Sequence, residues 1–169
     1  MPPRAPGPYC LRWSGLMRRI MAIAIAVGVA AQASAADVDP ADRQQLLELA
    51  ERMDKAWTAG DAEINAQLFA VDSTARFGAD PLGDGREDIR RQFEGFFKDR
   101  PAGLRHVTSL ERVEKLAQDL ALWDAEVRVE RQQAGGEWAT LTRIRNVSVI
   151  VRQPDGWRIK AVRAFPVSP

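Results

Sequence analysis

Residues 120–131 read LALWDAEVRVER, and their alternation decides the kind of fold. Ala121, Trp123, Ala125, Val127 and Val129 fall on one side of an extended chain, and Asp124, Glu126, Arg128 and Glu130 on the other. Successive side chains of a strand point to opposite faces, so the stretch predicts an antiparallel strand with one buried side. Further runs of period two surround it at 104–116, 138–152 and 157–167. Gly135-Gly136 and Pro154-Asp155-Gly156 supply turn chemistry between the last three of these four runs.

Before Pro101 the period is helical. Asp39-Pro40-Ala41-Asp42 predicts a helix start, with Asp39 as N-cap and Pro40 in the first turn. Leu46, Ala50, Met53 and Trp57 then make one apolar stripe that Gly60 ends. Asp61 caps a second, short helix in which Ile64 and Leu68 share a face and which runs out near Phe69. A first strand is expected over 73–79, followed by a turn region ending at Gly85. Asp84 and Glu87 form a D-x-x-E capping pattern for a third helix, whose inner face carries Ile89, Phe93, Phe96 and Phe97.

The first 35 residues read differently. Met17-Arg18-Arg19 precedes an unbroken apolar stretch of 12 residues from Ile20 to Ala31, and Ala33-Ser34-Ala35 offers the small residues that a signal peptidase needs. The stretch is well short of the roughly 20 residues that cross a bilayer. Residues 1–35 are therefore expected to be a secretory signal peptide, with 1–16 as a start-site extension if Met17 is the initiator. Residues 36–169 then form one domain in the periplasm or outside the cell, with no stable membrane anchor after cleavage. The leader carries four of the 24 basic residues and none of the 23 acids, so the remainder holds 20 against 23, a formal −3. Phosphate-backbone binding to nucleic acid loses its driving force at that balance. The leader also contains the only cysteine, Cys10, which leaves the domain no disulfide and no thiolate metal ligand.

Three helices, a strand between the second and third, and then long antiparallel strands form the order of a cone-shaped α+β barrel. The chain resembles the nuclear transport factor 2-like superfamily, and within it the SnoaL-like or ketosteroid-isomerase-like domains. The likeness rests on Trp57 with Gly60-Asp61, on Gly85-Arg86 with Ile89, and on His106 early in the next strand. Arg145-x-Val147-x-Val149-x-Val151, followed by Asp155-Gly156-Trp157-x-Ile159, matches the closing hairpin. The resemblance covers about 42–165. It implies three N-terminal helices packed in a curved mixed or antiparallel sheet, with a pocket at the wide end. In that superfamily the pocket is catalytic in some members, only binds in others, and is vestigial in others. The fold itself transfers no reaction. Many relatives carry a His near the end of the last strand, where this chain has Arg163.

No G-x-S-x-G, H-E-x-x-H or P-loop motif is present, and one histidine without a thiolate makes a zinc site improbable. No metal and no cofactor are expected. Arg145 shares parity with Val147, Val149 and Val151, and Arg163 with Trp157, Ile159 and Phe165. That parity turns both guanidiniums toward the apolar side, either paired with a carboxylate or extended to solvent, or as an anion clamp for a ligand. Trp57, Phe77, Phe93 and Trp123 would supply the apolar walls. Histidine is the side chain that exchanges protons near neutral pH, so His106 is the first candidate for a general acid or base, against a structural reading as a hydrogen-bonded residue at the rim. The resemblance turns it inward; Leu104, His106 and Thr108 alternate with Val107 and Ser109 too evenly for periodicity to decide, and a bulge in this strand is the alternative to a single inner face. Asp124 reads as an outward residue.

Three functional readings stay open. The first is a binding pocket for a small, apolar, anionic ligand. The second is an isomerase, dehydratase or hydrolase that uses His106 with Arg145 or Arg163. The third is an assembly module with a closed pocket, paired through an outer sheet face bearing Trp138 and Ile144. A homodimer is expected.

Overall fold

A computed structural model describes residues 38–167; the expected signal peptide lies outside them. Three helices and six strands follow in the order α1 (Pro40–Ala59), α2 (Ala62–Gln67), β1 (Phe69–Phe77), β2 (Asp80–Asp84), α3 (Arg86–Lys98), β3 (Leu104–Ala117), β4 (Leu120–Gln132), β5 (Trp138–Gln153) and β6 (Gly156–Val167). The first two helix starts follow the expected chemistry. The Ala41 N–H donates to Asp39 Oδ1 at 2.8 Å, and the Ile64 N–H donates to Asp61 Oδ1 at 2.9 Å. Gly60 closes α1 in the left-handed region at φ 74°, which only glycine adopts without strain.

The sheet is mixed and open, in the order β2-β1-β6-β5-β4-β3. β1 runs parallel to β6, and every other pairing is antiparallel. The helices pack on one side of this sheet: Leu46, Leu49 and Ala50 of α1 join Ile89 of α3, Trp123 of β4 and Ile150 of β5 in a single buried cluster. Burying side chains of this size stabilises by about 1.5–3 kcal/mol each, and this is what holds helices to sheet. Near the start of α1, buried Asp42 accepts from both Lys115 of β3 and Arg152 of β5, whose guanidinium lies 4.6 Å over the Trp157 ring. Among the described residues no helix is long and apolar enough to cross a membrane.

Several expectations change. The turn region before Gly85 contains a strand, β2, which pairs antiparallel with β1 and forms the sheet edge. The Asp84–Glu87 cap does not form. Asp84 is taken by Arg76, and Asp88 instead accepts from the Asp84 backbone N–H at 3.1 Å, which holds its carboxyl below the usual range. In α2 the buried positions are Ala62, Asn65 and Ala66, whereas Ile64 is exposed.

Single-residue bulges at Glu111, Leu141 and Lys160 each reverse which parity faces inward. On β4 the inner set is Ala121, Trp123, Ala125, Val127 and Val129, as its alternation demands. β5 and β6 are where the parity argument fails.

Candidate functional site

Between the helices and the concave side of the sheet lies a cavity of about 700 Å³ with a predominantly apolar wall. Trp57, Phe77, Phe93, Trp123 and His106 all line it. Five of the seven residues singled out from the sequence are thus brought together, and the two arginines are not.

His106 owes its inward direction to the even-numbered inner set of β3, which precedes the bulge at Glu111. Its Nδ1 lies 2.6 Å from Oδ1 of Asp54 on α1. Asp54 is held on both oxygens: the Thr108 hydroxyl donates to Oδ1 at 2.7 Å, and the Thr108 N–H donates to Oδ2 at 2.8 Å. A carboxylate only accepts, which assigns the imidazole proton to Nδ1 and leaves Nε2 as the basic nitrogen. Nε2 takes no hydrogen bond from the described residues. The His106 backbone N–H donates to Thr58 Oγ1 at 3.1 Å, and the ring lies 5.1 Å from the Trp57 ring. Both side chains are largely withdrawn from water, His106 at 13% exposure and Asp54 at 21%. His106 also borders a shallow groove with Lys55, Thr58 and Arg105.

Arg100 fixes the Trp57 end of α1. It donates to the carbonyls of Trp57 and Thr58, and its guanidinium lies 4.6 Å over the Trp57 ring and 4.9 Å over Phe97. Burial pushes its pKa below the usual arginine value. Gly60 accommodates this contact, since a Cβ there would come within 3.2 Å of Arg100 Nη2.

The expected anion clamp does not form. Arg145 stands on the outer face, 63% exposed, and pairs with Glu111 at 3.0 Å. On β5 the inner positions are Thr142, Ile144, Asn146 and Ser148, whereas Val147 is exposed; the valine run therefore marked the outer face. The rule that the apolar side faces inward fails here because this inner side borders a cavity partly furnished with polar groups. Arg163 is turned by the bulge at Lys160: Ile159, Val162 and Ala164 line the cavity, and Arg163 donates to the Thr74 carbonyl and hydroxyl at 3.3 and 3.1 Å. Ile144 likewise belongs to the cavity and not to the outer face with Trp138, since the bulge at Leu141 separates them. Among the described residues Arg76 is the one guanidinium on the cavity wall, and Asp84 engages it at 2.9 and 3.3 Å.

The sequence reading missed Asp54, Thr108, Asn146 and Arg76. Asp54 had a signal, because it lies four residues after Ala50 and three before Trp57, at the margin of the apolar stripe. Thr108 shares parity with His106. Among the described residues no cluster of three His, Cys, Asp or Glu could hold a metal ion.

Residues 39–163 match the SnoaL-like domain. The chain belongs to that family. None of the curated proteins compared matches it. A cystatin-like-fold domain from Nostoc punctiforme superposes with a TM-score of 0.67 at 20% identity, covering 78% of this chain and 81% of that one. An NTF2-like protein with a cystatin-like fold from Novosphingobium aromaticivorans gives 0.64 at 23%, covering 76% and 83%. A protein from Catenulispora acidiphila, in complex with S-DNPA, gives 0.62 at 21%, covering 76% and 95%. These likenesses establish the α+β cone of the SnoaL-like and NTF2-like domains.

Proposed function

We propose that the domain is an enzyme that moves a proton on a small, largely apolar molecule held in the cavity, with His106 as the base and Asp54 as its partner. The pairing of Asp54 with His106 in the wall of that cavity carries this reading. An imidazole held by a carboxylate keeps its tautomer and gains a partner for the cation formed when it takes a proton. The Catenulispora neighbour, in complex with S-DNPA, supports a small-molecule occupant. The preference for an anion drops out with the clamp.

The step assigned to His106 is the removal of a proton from carbon next to a carbonyl. Nε2 takes the proton, the C–H electron pair moves to form the enolate, and the same nitrogen returns a proton. The test is exchange of the α-protons of 1-tetralone in D2O, followed by NMR. The native protein should accelerate exchange by at least about 10²-fold over His106→Gln of unchanged melting temperature. Equal rates would remove the catalytic reading and leave a binding pocket.

Pairing of two copies across the outer sheet face is a separate proposal. It is supported by the exposed Val147 and Phe165 on neighbouring strands. Sedimentation of native protein and of Val147→Glu tests it, with loss of a dimer in the variant expected.

A further inference from the structure

The cavity wall changes character away from His106. Asn146 and Ser148 occupy consecutive inner positions of β5, and Ser148 stands opposite Trp123 of β4. Asn146 stands opposite Ala125. Around them the wall is apolar, with Val127, Ile144 and Val162. Trp123 is 3% exposed, and its Nε1 is buried without a hydrogen-bond partner among the described residues; Asn146 Oδ1 is in the same state. Such groups cost about 1–3 kcal/mol each when left unpaired. The amide and the hydroxyl each offer both a donor and an acceptor, and Trp123 adds a donor. A row of three neutral polar groups in an apolar wall is a feature that the fold alone does not require.

Resting on the reading of the cavity as a small-molecule site, we infer that Trp123, Asn146 and Ser148 form a polar subsite for an uncharged hydroxyl or carbonyl at the end of the ligand remote from His106. Charge decides against an anion there. No cation lies among the three, and Arg76 at the cavity wall is engaged by Asp84, so a carboxylate would be stripped of water without a partner. Spacing separates the subsite from His106. Asn146 lies in register, through Ala125, with Leu110, four residues along β3 from His106. At about 3.3 Å per residue that is about 13 Å along the strand, which sets the subsite at the end of the cavity remote from His106.

The experiment compares 6-hydroxy-1-tetralone, 6-methyl-1-tetralone and 6-carboxy-1-tetralone at pH 6 by calorimetry and by the indole N–H signal of Trp123, assigned through Trp123→Phe. The hydroxyl probe should bind about fivefold tighter than the methyl probe, the worth of one neutral hydrogen bond, and should shift the Trp123 signal. Asn146→Leu should bring the two affinities together while keeping the methyl probe bound, and Ser148→Ala carries the same test should that variant fail to fold. Equal affinities in the native protein, a tighter carboxylate, or a preference that survives both substitutions would overturn the subsite alone. Failure of all three probes to bind would overturn the subsite together with the reading on which it rests.

Discussion

Asp54 of α1 and His106 of β3 are 52 residues apart in the chain and meet at 2.6 Å, with Thr108 closing on the same carboxylate from β3. The contact ties helix to sheet at the cavity wall, so it acts on both stability and chemistry. Asp54→Asn preserves shape but offers no charge to an imidazolium. Exchange of 1-tetralone α-protons should fall by about 10²-fold, and stability by about 1–2 kcal/mol for the lost charge-assisted bonds. Rates and melting curves of the same preparation check both. A full rate in Asp54→Asn would reduce the carboxylate to a fold contact.

This pair also shows how far the sequence could be read. The caps at Asp39 and Asp61, the left-handed Gly60 and the alternation of β4 are local signals, and each becomes the structure it predicts. His106 was legible by residue type. Asp54 carried only its place at the margin of the α1 stripe, which a polar residue facing water shares, and it is the docking of α1 onto β3 that gives it a partner. The arginines failed for another reason. Arg163 lies beyond the bulge at Lys160, a single insertion without glycine or proline to announce it, and parity carries an inner face along a strand only while the register is unbroken. Arg145 shares an unbroken register with Val147, Val149 and Val151, and there the valine run marks the outer face because the inner side is the partly polar cavity wall.

Arg100 should act through Trp57, whose ring it covers and whose carbonyl it holds. Arg100→Ala removes packing on two aromatic rings and leaves the Thr58 carbonyl without its donor, while the Trp57 carbonyl keeps the Gly60 N–H. A loss of about 2 kcal/mol is expected from those two causes. Urea denaturation measures it. The Trp57 ring lies 5.1 Å from the His106 ring, so the variant should also slow tetralone exchange at a saturating concentration more than it weakens binding.

Residues 36–169 should fold with the full stability of the domain. The first cap, Asp39, and the core contact of Val38 both follow the expected cleavage point after Ala35. Expression of the whole chain with its leader in a Gram-negative host, followed by N-terminal sequencing of the periplasmic fraction, should return Ala36 as the first residue. A cytoplasmic product that retains Ile20 to Ala31 would contradict export.

Glu130 gives the fold a defined response to acid. Its carboxylate is 8% exposed and accepts from Arg105 at 2.7 Å and Arg128 at 3.0 Å, and Arg105 in turn lies 4.1 Å over Trp138. The hydrogen bond from Arg105, then that from Arg128, holds the Glu130 carboxyl below the usual carboxylate range. A carboxyl whose pKa is depressed on folding binds its proton more readily in the unfolded chain. Its contribution is therefore complete above the unfolded value, about 4.3, and is lost as pH falls through the folded value. Glu130→Gln removes that contribution at every pH. The variant should be less stable than the native protein by about 1–2 kcal/mol at pH 7, the worth of hydrogen bonds to a charged group. The gap should close progressively once pH drops below about 4.3. Urea midpoints at a series of pH values read this directly, and a gap of constant size from pH 7 to pH 3 would show that Glu130 contributes through shape and not through its charge.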